Sequence, residues 1–67
     1  MQDRNGNEIR TGEMVKIVGQ HDVPLQNYWI IMGFLDHGLA VEAILQHYNS
    51  KEIYFANIRD IERPFGA

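Results

Sequence analysis

Three histidines, nine carboxylates and the two aliphatic hydroxyls are the residues of this chain with chemistry to offer. The histidines are His21, His37 and His47. No two stand four apart on a helical face, and no cysteine accompanies them. A zinc site needs three or four such ligands brought together. Scattered turn and surface imidazoles are the simpler reading, and no metal site is expected. His37 beside Asp36 has the residue types of a proton-sensitive pair, but nothing in the pattern requires a switch. "DRNGNEIRTGEM" superficially matches a calcium loop, with Asp3, Asn5 and Asn7 at its first, third and fifth positions. Glu8 then stands where the loop needs glycine, and Met14 where it needs the bidentate glutamate. Those two failures remove the sharp turn and the strongest ligand, so a plain turn is expected.

Nucleophilic catalysis has little to work with. Thr11 and Ser50 are the hydroxyls outside tyrosine, both in turn-like contexts and neither with a base nearby in sequence. The carboxylates fall in turns or at solvent-facing strand positions, and the six glycines never approach the spacing of a phosphate-binding loop. A chain of 67 residues also leaves little room for a walled pocket. No cofactor is implied, and the expectation is that the protein is not an enzyme.

Composition narrows the rest. The net charge is −3, and the basic residues Arg4, Arg10, Lys16, Lys51, Arg59 and Arg63 are never adjacent. A nucleic-acid site built on phosphate attraction needs them clustered. The acidic excess is too small for a mimic of nucleic acid. With 45% apolar residues the chain is globular rather than disordered. A domain this small buries only about 60% of its unfolded surface, so association is a common route to added stability. "MQDRNGNEIR" does not read as a secretory signal, and the longest apolar run, about eight residues, is short of the roughly 20 that span a bilayer. A cytoplasmic protein is expected.

These side chains must be positioned by a handful of short elements. Asn5-Gly6 is a type I′ turn pair, near the terminus. "TGEMVKIVG" predicts a turn at Thr11-Gly12, then a strand from Glu13 to Val18 with Val15 and Ile17 on one face. Residues 19–27 read as a long loop, with Pro24 disfavouring helix. A strand follows from about Tyr28 to Leu35, closed by a hairpin turn at Asp36–Gly38 in which Gly38 supplies a positive φ. "LAVEAILQHY" has two readings. As a strand it turns Leu39, Val41, Ala43 and Leu45 inward. As a helix it stacks Ala40, Ile44 and Tyr48 and makes the domain α+β. The strand is favoured because turn signals bound it on both sides. "EIYF" predicts a strand with Ile53 and Phe55 inward, and "ANIRDIERP" one helical turn carrying Ile58 before a short strand at Ile61.

That order resembles an SH3-like small β-barrel. "GEMVKIVG" is similar to the opening of KOW-type barrels, and "FANIRDIE" to the closing segment, where a 3₁₀ turn leads into the last strand. The resemblance covers about residues 11 to 63 and implies one all-β domain over 1–67, five strands, a long first loop and a 3₁₀ turn before the last strand. Its motifs carry a fold and not a function. The second glycine of a KOW motif is missing. The paired tryptophans of proline-peptide-binding SH3 domains are absent too, which argues against that activity.

The strand at 28–35 is apolar on both faces. Tyr28, Ile30, Met32 and Phe34 alternate with Trp29, Ile31 and Leu35, and Gly33 marks a place for a bend or a bulge that switches the inward set. A small barrel has one interior. Either the loop folds back with Val23, Pro24 and Leu25 over the second face, or the chain ends cover part of it, or a partner does. The expected function is a protein-interaction module, a small accessory or regulatory subunit, binding a protein partner or itself as a homodimer. Its candidate contact residues are Val23, Leu25, Tyr28, Trp29, Ile31, Leu35, Tyr48 and Tyr54. The alternative is a KOW-like nucleic-acid-binding barrel, which the charge disfavours and stacking aromatics favour.

Overall fold

The computed structural model describes residues 1–18 and 28–64. Five strands form one antiparallel sheet: β1 (Met14–Ile17), β2 (Tyr28–Asp36), β3 (Val41–His47), β4 (Ile53–Asn57) and β5 (Ile61–Glu62). A 3₁₀ turn at Ile58–Asp60 joins the last two. The order across the sheet is β4-β3-β2-β1-β5. The all-β expectation holds, and residues 41–47 are strand rather than helix. The sheet is open. β4 and β5 stand at opposite ends of the strand order and, among the described residues, no ladder joins them, so the expected closed barrel is corrected to an open sheet. Among the described residues, no helix is long and apolar enough to cross a membrane.

The core sits on one face of the sheet. β1 contributes Val15 and Ile17, β2 Trp29 and Ile31, β3 Ala43 and Leu45, β4 Ala56, and β5 Ile61, with Ile9 entering from the N-terminal segment. Each fully buried Ile, Leu or Val contributes about 1.5–3 kcal/mol over leaving it exposed.

Strand alternation breaks once, in β2. Ile31 pairs with Leu45 and Gly33 with Ile44, so two steps along β2 match one along β3. Met32 is the extra residue of this bulge. Before it, Trp29 and Ile31 point inward; after it, Phe34 does, opposite Ala43. Gly33 thus stands at the switch that its place in the sequence suggests.

Three inward assignments are corrected. Ile53 and Phe55 lie outside, 53% and 47% exposed. Their neighbours Tyr54 and Ala56 pair with the inward residues Leu45 and Ala43, and cross-strand partners share a face. Leu39 is fully exposed. It lies in the loop beyond the Asp36–Val41 pair, where no strand reaches over it.

The turns follow local chemistry. Gly6 N–H donates to the Asp3 carbonyl at 3.1 Å, and Gly6 has φ +83° while Asn5 keeps a negative φ. A type I′ turn needs positive φ at both central residues. The expected type I′ pair is therefore a type I turn followed by a left-handed glycine. At the β2–β3 hairpin, Gly38 has φ +90° and donates its N–H to Asp36 Oδ1 at 2.8 Å. The 3₁₀ turn is capped by Asn57, whose Oδ1 accepts the Arg59 N–H at 2.9 Å.

Candidate functional site

The outward face of the sheet is the most distinctive surface. The register aligns Met14, Ile30, Gln46 and Ile53 in one row across four strands. The next row holds Gly33, Ile44 and Phe55, with Met32 at the bulge beside it. A Cβ on Gly33 would lie 3.7 Å from Ile44 Cδ1, so the glycine leaves this row open. Met14, Met32, Ile53 and Phe55 are exposed, and Ile30 and Ile44 are half-buried. Among the described residues only one face of the sheet is covered, and the apolar side chains of the other form a patch, the kind of surface that marks contact sites. Lys16 and Tyr28 border it at one end, and Leu35 and Glu42 at the other.

The contact residues expected from sequence separate into three groups. Tyr28, Leu35 and Tyr48 are exposed. Trp29, at 4% exposure, and Ile31, fully buried, belong to the core, and Tyr54 is half-buried against it. All three are placed on the core side of the sheet, away from its outward face. Val23 and Leu25 lie outside the described residues. Sequence reasoning did not name Met14, Ile30, Met32, Ile44, Ile53 and Phe55 as contact residues. For Ile53 and Phe55 the cause is the wrong-parity assignment of β4, which the register to β3 corrects.

Below the patch, Trp29 organises one end of the core. Its ring meets His47 edge-on at a centroid distance of 4.9 Å and Tyr54 at 5.8 Å. Its indole Nε1 is buried and finds no hydrogen-bond acceptor among the described residues. His47 Nδ1 accepts the N–H groups of Asn49 and Ser50 at 3.2 and 3.0 Å, which orders the turn between β3 and β4. Its role is structural. His37 Nε2 lies 2.9 Å from Glu42 Oε1 on the surface. His21 lies outside the described residues.

Among the described residues, no three His, Asp or Glu side chains gather as a metal site. Asp3 of the calcium-like stretch is buried and turned to backbone: Oδ1 accepts the N–H of Asn5 and of Asn7, each at 2.9 Å. Ser50 Oγ accepts the Glu52 N–H at 3.3 Å within its turn. Shallow hollows lie among the described residues. One, of about 150 Å³, lies between the β2–β3 loop and the 3₁₀ turn, and another, of about 180 Å³, between Met14 and Pro64. Both are below the roughly 300–1,000 Å³ of a small-molecule site.

No known protein family, curated protein or solved structure matches this chain.

Proposed function

We propose that this chain is a non-enzymatic protein-interaction module, a small accessory or regulatory subunit, whose docking surface is the outward apolar face of the sheet. The observation that carries this reading is the two cross-strand rows, in which Met14, Ile30, Ile53, Ile44 and Phe55 stand together on the face away from the core. Met and aromatic side chains are enriched in interface centres. The fold reading that goes with it is an SH3-like domain. Its support is the strand order, with the chain returning from β4 through a 3₁₀ turn to pair β5 with β1.

Affinity capture from native lysate tests this, using the parent chain beside a Met14→Ser/Ile30→Ser variant of unchanged fold. A protein held by the parent, resistant to nuclease and lost with the variant is the expected result. Capture that collapses with nuclease or moderate salt would instead support a nucleic-acid-binding module. Equal capture by parent and variant would sink the outward face as the docking surface.

A further inference from the structure

The Asn5-Gly6 pair makes a turn, and it also holds the groups with which a chain modifies itself. The backbone nitrogen that follows an asparagine can attack the side-chain Cγ. A nitrogen–carbon bond forms, ammonia leaves, and a five-membered succinimide ring results. Water then opens the ring at either carbonyl, which leaves aspartate or isoaspartate. In sum, asparagine and water become a carboxylic acid and ammonia, with no other reactant. A side chain on the following residue hinders ring closure, so glycine permits it best, having no Cβ.

Of the five asparagines, Asn5 alone precedes glycine; Glu8, Tyr28, Ser50 and Ile58 follow the others. Asn5 and Gly6 are both exposed. The space beside Gly6 is open, since a Cβ built there meets nothing within 4 Å. Asn57, by contrast, is half-buried, engaged through Oδ1 by the Arg59 N–H, and followed by a β-branched residue. In the closed turn the Gly6 N–H donates to the Asp3 carbonyl at 3.1 Å, so attack on Asn5 Cγ requires the turn to open. Exposed turns lie at the low end of the range of local opening free energies. We propose that Asn5 is a deamidation site and that its conversion releases the N-terminal turn from β5.

The release follows from what the turn touches. Asn5 Nδ2 donates to Glu62 Oε2 at 3.0 Å. Conversion to aspartate replaces that donor with a carboxylate oxygen, so two like charges face each other where a hydrogen bond stood. Isoaspartate acts on the backbone instead. Asp3 Oδ1 accepts the N–H groups of Asn5 and Asn7, each at 2.9 Å. In isoaspartate the main chain runs through Cβ and Cγ, one atom longer between those two donors, and the pair no longer fits one oxygen. The same Asp3 holds the end of the chain, with Oδ2 accepting the Arg63 N–H at 3.0 Å, and Arg4 N–H donates to the Ile61 carbonyl at 3.1 Å. β5 is two residues long, so these bonds are a large part of what fixes it.

Incubation of the purified chain in mildly alkaline buffer, followed by peptide mapping with mass spectrometry, tests the site. The expected result is conversion at Asn5 ahead of every other asparagine, slower than in the urea-unfolded chain, with isoaspartate the main product. Aspartate without isoaspartate would mean direct hydrolysis and overturn the ring mechanism. An Asn5 still intact after another asparagine has converted, or after a month, overturns the site. The release is tested with Asn5→Asp at neutral pH, made in the parent and in Glu62→Gln. A lower melting midpoint and faster hydrogen exchange at the Arg4 and Arg63 amides are expected in the parent. Both losses are expected to shrink when Glu62→Gln removes the opposing charge. An Asn5→Asp chain with the parent's midpoint and exchange rates would overturn the release. A loss undiminished by Glu62→Gln would overturn the part assigned to Glu62.

Discussion

The carboxylate of Asp3 accepts the backbone N–H of Arg63 at 3.0 Å, joining residues 60 apart in sequence. Beside it, Arg4 N–H donates to the Ile61 carbonyl at 3.1 Å. The N-terminal turn and the last strand are thus held together by one buried acid. Burial alone would raise its pKa. The backbone N–H groups of Arg63, Asn7 and Asn5 outweigh that and hold it below its ordinary value.

A depressed folded-state pKa means that the contribution of Asp3 is complete above the unfolded value, about 3.9, and is lost as pH falls through the folded value. Urea denaturation at about pH 6 and about pH 3 is expected to show this loss in the parent and a smaller one in Asp3→Asn. At neutral pH, Asp3→Asn is expected to cost about 1–3 kcal/mol, because its amide nitrogen cannot accept the Arg63 N–H. An unchanged midpoint in the variant would contradict the role given to this carboxylate.

Trp29 is a core residue whose indole N–H has no acceptor among the described residues. Trp29→Phe removes the donor and some volume, and a cost under about 2 kcal/mol is expected. Trp29→Ala leaves a cavity beside His47 and Tyr54 and is expected to cost about 3–5 kcal/mol. Thermal melts of the two variants compare them directly. If the alanine variant melts with the parent, Trp29 is not packed as described.

The bulge at Met32 lets Ile31 and Phe34 share the interior. Met32→Ser alters an exposed side chain and is expected to change stability by no more than about 0.5 kcal/mol. Deleting Met32 removes the extra residue. Either Phe34 or the Trp29–Ile31 pair then turns outward, since a one-residue slip reverses every face. Loss of the cooperative transition is expected for the deletion. A deletion as stable as the serine variant would show that the bulge is not what places Phe34.

Gly38 has φ +90°, and a Cβ built there meets nothing within 4 Å. The cost of Gly38→Ala is therefore purely backbone, about 1–2 kcal/mol. Chemical denaturation measures it. A neutral effect would mean that the hairpin relaxes to another turn.

Much of the architecture is legible in local chemistry. The apolar spacing of Val15 and Ile17, the turn residues at Thr11-Gly12 and Asp36–Gly38, and the helical turn carrying Ile58 are each read from their own stretch, because strand alternation and turn geometry act over a few residues. Which face of β4 is buried is not local. Ile53 and Phe55 are more apolar than Tyr54 and Ala56, and only the register with β3, set by the turn at His47, decides that the latter pair faces inward. The same holds for β2. Its sequence is apolar on both faces, so periodicity carries no sign, and one extra residue at Met32 chose the interior set. Closure belongs to tertiary structure too, since strand order follows from the turns while the joining of β4 to β5 depends on how far the whole sheet curls. The outward patch is the remainder of these choices. The chain carries more apolar side chains than one interior holds, and cross-strand register determined which of them stay outside.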